Sequence, residues 1–377
     1  MAKYTCGKCS KEFTQKGQYT KHNATICVPE IETPTTTAST DSTEQEHKVS
    51  TEDYTIINSC CIKGMTAMKN ANRKIQLTIT SPPYYNVKDY VAYTDYSAYL
   101  TTLKTVFTLI HEITDDGRMC CVNLSNILIQ RESRNSESSR IPLVFHFVPL
   151  MEGIGWKFIE DIIWVKPEGA AKNRNGGFFQ HRQPVAYKPN IINEYIFVFQ
   201  KPSMYLIDKI VRGYDAVTSL NSKVDDGYER TNVWKINPET KSKHPAPYPE
   251  TLVENLIRYY SFCGDLVLDP FIGSGTTAVS SYKLNRKSIG FEIHKEYIDM
   301  FEKRIKTVTR NINVEQTQIS MNKDDYANLD EEQIKKKIQK FPKKHLYQLM
   351  NNDRKYKNSS KSQLVDIIYA SHFMNAT

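Results

Sequence analysis

DLVLDPFIGSGTTAVSSYKLNRKSIGFE, residues 265–292, contains the clearest indication of the fold of this chain. A short apolar run ends at Asp269 and is followed by the glycine-containing turn FIGSG at 271–275. A helix is predicted to begin near Thr276, and a second apolar run ends at Glu292. This order of strand, turn, helix and strand is typical of a Rossmann-like α/β unit, whose two strands lie parallel.

The turn and the acid after it favour a nucleotide-like ligand. Glycine lets the backbone approach a ligand closely, and a helix N-terminus favours an anionic group. An acid that closes the second strand, here Glu292, suits the paired hydroxyls of a ribose. Gly273-x-Gly275-x-x-Ala278 also satisfies a dinucleotide fingerprint. An NAD- or FAD-dependent oxidoreductase, or a glycine turn without any ligand, therefore remains an alternative at this point.

The rest of residues 51–312 repeats the alternation of strands and helices. Strands are predicted at 75–80, 118–123, 158–165, 194–199, 265–269 and 287–292, and helices at 97–113 and 249–261. Strands that alternate with helices favour a mostly parallel, doubly wound sheet. We therefore expect one α/β domain over 51–312.

The strand at 75–80 runs directly into the segment SPPY, residues 81–84. Neither proline can donate a backbone hydrogen bond, and each pushes the residue before it into an extended conformation. The result is a stiff loop that presents a hydroxyl group, free carbonyl groups and an aromatic ring. Taken alone, such a segment is also consistent with a simple proline turn and a surface tyrosine.

SPPY followed later by FxGxG resembles the amino-methyltransferases of DNA, and this order resembles their β class. The resemblance covers roughly residues 54–308. It includes TSPPYYNVKDY (80–90), DIIWVKP (161–167), NEYIFVFQK (193–201), HPAPYPETLVENLI (244–257) and VLDPFIGSGTTA (267–278). The chain departs from the family at Asn58-Ser59-Cys60, where relatives often carry Gly-Asp before a cysteine, and at Tyr248-Pro249, where many carry Lys-Pro.

The resemblance implies a methyl transfer from S-adenosylmethionine to the exocyclic amino group of a flipped base. It implies catalytic roles for Ser81, Pro82, Pro83 and Tyr84. Ser81 Oγ and the Pro82 carbonyl would accept hydrogen bonds from the amino group, and Tyr84 would stack on the base. The residues that it assigns to the cofactor are Asp269, Phe271, Gly273, Ser274, Gly275, Thr276 and Glu292, with Asp269 shaping the turn.

The identity of the methylated base depends on position 81. In this family SPP accompanies cytosine-N4 chemistry more often than DPP does, so cytosine-N4 is favoured and adenine-N6 is the alternative. Carbon-5 cytosine chemistry requires a nucleophilic cysteine, typically after a proline, and no cysteine of the chain follows a proline. A non-catalytic DNA-binding protein is a third hypothesis, although the intact SPPY and glycine motifs disfavour it.

The first 30 residues have the ligand spacing of a small ββα zinc finger. Cys6-x2-Cys9-x12-His22-x4-Cys27 supplies three thiolates and one imidazole, a closed tetrahedral set for a structural zinc ion. Nearby lysines suit contact with DNA phosphates, although such fingers also bind proteins. We therefore expect a zinc finger at 1–30 and leave its partner open.

Two further segments are predicted to connect or extend the domain. Residues 31–50 are rich in serine and threonine and read as a flexible linker, and 313–330 form a second linker. The tail at 331–377 is basic and helical, and it loosely resembles the SAP-type DNA-binding motif. A solvated basic tail without a ligand is the alternative.

The target-recognition region is expected at 168–240, where β-class enzymes read the DNA sequence. Its candidate DNA-binding side chains are Arg174, Gln180, His181, Arg182 and Lys188, which are able to contact phosphates or base edges. The formal net charge of +8 agrees with a polyanionic partner but is weak evidence alone.

Composition excludes some other classes of protein. The sequence contains no run of about 18 apolar residues and no signal-peptide core, so neither a membrane span nor secretion is expected. The eight cysteines do not form a disulfide framework. The sequence therefore favours an intracellular protein with reduced thiols.

Overall fold

The computed structural model describes residues 4–5, 12–13, 47–85, 93, 95–129, 138–170, 182–185, 187, 189–224, 226–239, 248–310, 329–339, 346 and 360–370. Over these ranges the chain alternates between strands and helices. Within them, no helix is both long enough and apolar enough to cross a lipid bilayer.

The strands within the described ranges are β1 (Tyr4–Thr5), β2 (Glu12–Phe13), β3 (Lys48–Ser50), β4 (Tyr54–Asn58), β5 (Ile75–Thr80), β6 (Thr114–Leu124), β7 (Ile127–Ile129), β8 (Ser139–Ile141), β9 (Lys157–Val165), β10 (Asn193–Gln200), β11 (Val233–Lys235), β12 (Leu266–Asp269) and β13 (Lys287–Glu292). The helices there are α1 (Cys61–Asn70), α2 (Tyr96–Ile113), α3 (Leu143–Ile154), α4 (Ile207–Val211), α5 (Ala216–Asn221), α6 (Glu250–Tyr260), α7 (Thr276–Lys283), α8 (Lys295–Ile305), α9 (Glu331–Gln339) and α10 (Lys361–Tyr369), with a short 3-10 turn at Glu168–Ala170. Every strand and helix predicted within 51–312 is present, whereas the helix predicted for the zinc finger lies outside the described residues.

Nine of these strands form a single sheet in the order β11-β9-β10-β6-β5-β12-β13-β4-β3. The five strands from β6 to β4 in this order are mutually parallel. Strand β10 runs antiparallel to both of its neighbours, and β3 runs antiparallel to β4. The sheet is therefore mixed; its mostly parallel character agrees with the sequence prediction, whereas the antiparallel pairs were not predicted.

The order of the strands reverses direction between β5 and β12. From β5 the chain moves outward to β6 on one side, and from β12 it moves outward to β13 on the other side. The two diverging connections leave a crevice at the carboxyl ends of β5 and β12, which is where open α/β sheets bind their ligands. The SPPY segment follows β5 and the glycine turn follows β12, so the topology brings both motifs to this crevice.

Helices cover both faces of the sheet. Side chains alternate between the two faces along each strand, so each strand contributes apolar side chains to both layers of helices. On one face, Cys120 and Val122 of β6 belong to a core with α1, α2 and α3. On the other face, Met119 and Cys121 of the same strand pack with α6, while α7 and α8 form an adjoining cluster around Phe301. The sheet is therefore buried on both sides, which fits the doubly wound architecture.

The predicted linker at 31–50 is wrong at its C-terminal end. Lys48–Ser50 form β3, which pairs with β4 through the register Val49↔Ile56. Val49 packs against the cluster around Phe301, and the His47 ring lies 3.6 Å from the Glu302 carboxylate. Backbone pairing to an existing sheet edge orders this segment although its composition is mostly polar. Residues 31–46 lie outside the described residues.

Two helices in the described part of the tail share a small core. Ile334 and Ile338 of α9 are buried with Leu364 and Ile368 of α10. Helix α10 begins with a capping box, in which Ser360 Oγ accepts from the Gln363 backbone N–H and the Gln363 side chain accepts from the Ser360 N–H. Leu346 is also helical and belongs to the same core, so the described residues agree with a helical tail. The likeness to a SAP motif stays a prediction.

Candidate active site

Four neighbouring strands of the sheet end at the same edge and deliver their following segments to one place. The segments are 59–62 after β4, 81–84 after β5, 270–276 after β12 and 291–294 at the end of β13. Together they line a cavity of about 280 Å³ whose wall is mostly apolar. The parallel register of the sheet is what brings these distant stretches of sequence together.

Most of the residues predicted for the site line this cavity. They are Ser81, Pro82, Pro83, Tyr84, Phe271, Gly273, Ser274, Thr276 and Glu292. Asp269 and Gly275 are buried and do not line it. The structure therefore brings the SPPY segment and most of the glycine turn to one site, and it places Asp269 and Gly275 outside the cavity lining.

Glu292 closes β13 with its carboxylate at the cavity wall. One carboxylate oxygen accepts a hydrogen bond from the Gly273 backbone N–H at 2.9 Å, and the other accepts from the His294 N–H at 2.9 Å. Burial raises the pKa of Glu292, and these backbone hydrogen bonds partly oppose the shift. The carboxylate is thus fixed in orientation and keeps lone pairs for a ligand with hydroxyl groups.

The two glycines of the turn have different structural requirements. Gly273 adopts φ +52° and lies on the cavity wall, so a ligand in the cavity would meet the backbone itself there. Gly275 adopts φ +83°, and a Cβ atom at this position would lie 2.3 Å from Phe301 Cδ2. Gly275 is therefore required by the packing of α8 beneath the turn, whereas Gly273 faces the cavity.

Asp269 is the last residue of β12 and is 1% exposed. Its Oδ1 accepts from Thr80 Oγ1 at 2.8 Å and from the Phe271 N–H at 3.1 Å. Its Oδ2 accepts from the Tyr248 hydroxyl at 2.8 Å and from Thr277 Oγ1 at 2.6 Å. Burial raises the pKa of Asp269, and the hydrogen bonds from the three hydroxyl groups oppose that shift.

The SPPY segment leaves the sheet with its residues partly buried. Pro82 is buried, whereas Ser81, Pro83 and Tyr84 are half-buried. The Tyr84 ring packs against the core formed with α1–α3, and its hydroxyl oxygen is inaccessible to water. Burial raises the pKa of Tyr84 well above its ordinary value. Tyr84 is therefore held firmly beside Ser81, and its predicted stacking on a base stays a prediction.

Sequence reasoning missed contributions from two stretches that it had noted only as departures from the family. Ser59 and Cys60 line the cavity although their segment lacks the expected Gly-Asp. The neighbouring Cys61 side chain lowers the pKa of the Cys60 thiol. Tyr248 also lines the cavity. The signal that would have located Ser59 and Cys60 is their position directly after a parallel strand.

A second polar cluster lies beside the SPPY segment and was also missed. Thr80 pairs with Val122, so Asn123 is the next residue along the adjacent strand. The Asn123 amide donates to Glu194 at 2.6 Å, and Lys166 forms an ion pair with the same carboxylate. Both charged residues lie in motifs quoted for the family resemblance, DIIWVKP and NEYIFVFQK, to which no role had been assigned.

Among the predicted DNA-contacting residues, only Arg182 lies within the described part of the chain. It is exposed and adopts φ +47°. Arg174, Gln180, His181 and Lys188 lie outside the described residues.

The predicted zinc ligands Cys6, Cys9, His22 and Cys27 also lie outside the described residues. Of residues 1–30, the structure describes strands β1 and β2, which pair antiparallel with Tyr4 opposite Phe13. Within the described part of the chain, no group of three or more histidine, cysteine, aspartate or glutamate side chains is placed to bind a metal ion.

Comparison with known proteins identifies the family. Residues 75–303 match the family model N6_N4_Mtase, described as DNA methylase. The orphan methyltransferase M.BamHII of Bacillus amyloliquefaciens is 31% identical over 62% of this chain and 89% of its own length. The type II methyltransferase M.BglII of Bacillus subtilis is 29% identical over 61% of this chain and 63% of its own length.

Other relatives are considerably longer than the matched region. The type II beta methyltransferase M.BslI of Bacillus sp. (strain NEB-606) is 26% identical over 78% of this chain, which corresponds to 31% of M.BslI. This chain thus spans about a third of M.BslI and less than two thirds of M.BglII.

A solved structure shares the fold. A putative DNA modification methylase from Thermus thermophilus, solved in complex with S-adenosyl-L-methionine, superposes with a TM-score of 0.52 at 23% identity, over 65% of this chain and 90% of that one. The family model covers more than half of the chain, including SPPY, the glycine turn and Glu292. The chain therefore belongs to the N6/N4 DNA methylase family.

Proposed function

We propose that this protein transfers the methyl group of S-adenosylmethionine to the exocyclic amino group of a base in DNA. The observation that carries the proposal is that the SPPY segment, the glycine turn and Glu292 line one cavity. Membership of a DNA methylase family and relatives named as methyltransferases support it. A dinucleotide-dependent oxidoreductase has no such support, although the glycine spacing alone allowed it.

The cavity has the chemistry that S-adenosylmethionine requires. Phe271, Ile272 and Phe291 provide apolar wall that suits an adenine ring. The Glu292 carboxylate is fixed by two backbone N–H groups and keeps acceptor capacity for ribose hydroxyls. Gly273 lets the backbone meet the ligand without a side chain between them. When bound, the cofactor supplies a methyl group on a sulfonium, which is an excellent leaving group.

The difficult part of the reaction is the nucleophile, because an exocyclic amino nitrogen donates its lone pair into the ring. In the proposed mechanism Ser81 Oγ and the Pro82 carbonyl accept hydrogen bonds from the two amino hydrogens. The nitrogen can then become tetrahedral and direct its lone pair at the methyl group. Two consecutive prolines keep these acceptors in place before the base arrives, which is the main requirement for electrostatic stabilisation of a transition state.

The target base must leave the duplex to reach this cavity, and Tyr84 is proposed to stack on it. Cytosine-N4 is the favoured acceptor because position 81 is serine rather than aspartate. Adenine-N6 is the alternative, and the experiment below distinguishes the two products.

The experiment is to incubate the protein with DNA and isotopically labelled S-adenosylmethionine and to identify the modified nucleoside by mass spectrometry. Labelled N4-methylcytosine is expected. N6-methyladenine would support the reaction and correct the base, whereas no labelled nucleoside on any DNA sequence would overturn the proposal.

A pair of matched variants tests the role of Ser81. Ser81→Ala should slow single-turnover methyl transfer on the order of 100-fold, because one preorganised acceptor is lost. Its affinity for the cofactor should stay close to that of the unmodified protein. Ser97→Ala, on an exposed position of α2, is the control and should change neither quantity. A near-normal single-turnover rate in Ser81→Ala would contradict the assignment.

We also propose that residues 1–30 bind one structural zinc ion through Cys6, Cys9, His22 and Cys27. The ligand spacing supports this, and the β1–β2 pairing supplies the antiparallel strands that a ββα finger needs. The test is the zinc content of purified protein, with one equivalent expected. A Cys6→Ser variant with unchanged zinc content would contradict the ligand assignment.

Additional DNA contacts are proposed for three parts of the chain. The lysine-bearing finger, the exposed Arg182 in the 168–240 region and the two-helix tail all carry positive side chains. These are contacts of the kind that bind phosphates and position the enzyme on the duplex. A protein partner for the finger is the alternative, and loss of DNA affinity on removal of the finger decides between them.

A further inference from the structure

A single buried carboxylate connects the segment proposed for catalysis to the turn proposed for the cofactor. Asp269 accepts four hydrogen bonds, two on each oxygen, from Thr80, Phe271, Tyr248 and Thr277. An ionised carboxylate has about four lone-pair positions, and all of them are occupied here. Asp269 therefore has no acceptor position left for a ligand, and it holds other residues in place instead.

The first connection runs to the SPPY segment. Thr80 is 1% exposed and immediately precedes Ser81 in the chain. Its hydroxyl donates to Asp269 Oδ1 at 2.8 Å, across the boundary between β5 and β12. Only two residue pairs of these strands are in register, Val267↔Leu77 and Leu268↔Thr78, and both lie before the motifs. The Thr80 hydrogen bond therefore fixes the end of β5 at the point where the crevice opens.

The second connection runs to the cavity surface. The Tyr248 side chain lines the cavity, while its hydroxyl reaches behind the wall to Asp269 Oδ2 and lies 2.5 Å from Thr277 Oγ1. Thr277 belongs to the first turn of α7, directly after the glycine turn. A ligand in the cavity thus contacts a residue whose hydroxyl is bonded to the same carboxylate that holds Thr80.

We propose that Asp269, Thr80 and Tyr248 are positioning residues that couple cofactor occupancy to the placement of Ser81. The proposal rests on the function proposed above. The shared carboxylate is the physical link, because a shift of the Tyr248 hydroxyl or of the glycine turn changes the same buried hydrogen bonds that fix Thr80. Buried polar networks behave cooperatively, since removal of one donor leaves a buried acceptor unsatisfied.

The chain offers a matched set of variants to test this coupling. Thr80→Val removes the hydroxyl that reaches Asp269, and Thr80→Ser retains it. Thr78→Val is the control, because Thr78 is fully buried on the same strand but makes no hydrogen bond to the Asp269 carboxylate. Tyr248→Phe removes the tyrosine hydroxyl that donates to Asp269 without changing the ring at the cavity wall. It serves as an independent variant should a change within β5 prevent folding.

Two measurements are made on each variant of the full chain. Calorimetry gives the affinity for S-adenosylmethionine with and without a DNA duplex that the unmodified protein methylates. Rapid-quench experiments give the single-turnover rate at saturating cofactor. Urea unfolding identifies variants that are destabilised. A purely structural defect would not change the ratio of the cofactor affinity with DNA to the cofactor affinity without DNA.

Thr80→Val is expected to bind the cofactor alone within about threefold of the normal affinity. Its single-turnover rate should fall roughly 10-fold, which is the effect of about 1.4 kcal/mol. Any increase of cofactor affinity caused by DNA should shrink in both Thr80→Val and Tyr248→Phe, because coupling between two sites is reciprocal. Thr80→Ser and Thr78→Val should retain the normal rate and the normal coupling.

The outcomes separate this proposal from the proposed function. If the unmodified protein methylates DNA but Thr80→Val and Tyr248→Phe keep its rate and coupling, the coupling proposal is overturned and the function stands. If Thr78→Val is as slow as Thr80→Val, the effect comes from β5 packing and the proposal is equally overturned. If the unmodified protein methylates no DNA, both proposals fail.

Discussion

The glycine turn offers a substitution whose cost can be worked out from the structure. Gly275 adopts φ +83°, and a Cβ atom there would lie 2.3 Å from Phe301 Cδ2 and 2.9 Å from Phe301 Cγ. Phe301 is fully buried in the cluster between α7 and α8, so its ring has no free space to move into. Gly275→Ala therefore imposes both backbone strain and a steric overlap.

The magnitude follows from these two terms and one that opposes them. A non-glycine residue in the left-handed region costs roughly 1–2 kcal/mol. Forcing an extra methyl group into a well-packed core costs roughly 1–3 kcal/mol. Replacing glycine also lowers the entropy of the unfolded chain, which offsets roughly 0.4–1 kcal/mol. The free energy of unfolding should thus fall by about 1–5 kcal/mol, a large part of the roughly 5–15 kcal/mol of a typical domain.

Urea denaturation followed by circular dichroism measures this change. Gly153→Ala is the matched control, because Gly153 lies in α3 and an added Cβ would meet no neighbouring group within 4 Å. Its free energy of unfolding should equal that of the unmodified protein or slightly exceed it. Gly275→Ala combined with Phe301→Leu separates the terms, since a smaller side chain relieves the overlap but leaves the backbone strain. If Gly275→Ala changes the free energy of unfolding by less than about 0.5 kcal/mol, neither the strain at position 275 nor the overlap with Phe301 is significant.

Three further predictions concern the ligands. Gly273→Val should weaken S-adenosylmethionine binding, because its side chain would enter the cavity wall at φ +52°; unchanged affinity by calorimetry would place the cofactor elsewhere. Because burial raises the pKa of Glu292, its carboxylate is ionised above that raised pKa and is protonated as the pH falls through it, so cofactor affinity should decline at a higher pH than an exposed glutamate would allow. Glu292→Gln should bind more weakly and lose this part of the pH profile, and a calorimetric profile of unaltered shape would argue against the role of the carboxylate. Deleting residues 1–46, which spares β3, should weaken DNA binding and flatten its salt dependence while turnover at saturating DNA stays the same; an unchanged salt slope would indicate that the finger binds a protein instead.

Much of the site could be predicted because its motifs have local physical causes. Two prolines after a β-branched strand define a stiff loop whatever the rest of the chain does, and glycines between a strand and a helix define a turn that admits a ligand. The strand ends at Thr80, Asp269 and Glu292 were located correctly for this reason. Their joint occurrence in one chain was sufficient to indicate the family, which the match over 75–303 confirms.

Other residues could not be assigned from the sequence because their roles depend on distant neighbours. Tyr248 looked like a departure from the family pattern, yet its hydroxyl lies 2.8 Å from Asp269 Oδ2. Gly275 looked like a ligand contact, yet the ring of Phe301 occupies the space beside it. Lys48–Ser50 looked like part of a linker because the composition around them is polar. They form a strand because they pair with β4, which local composition does not reveal.

Strand periodicity, proline stiffness and glycine freedom act within a few residues of chain, so the fold class, the two motifs and their order could be predicted from the sequence alone. Which of these residues line the cavity and which hold the others in place depends on the tertiary structure. The reason is that parallel pairing of β4, β5, β12 and β13 brings together segments as distant in the chain as Thr80 and Asp269, which are 189 positions apart. The carboxylate of Asp269 joins Thr80 to Tyr248 only after that sheet has formed.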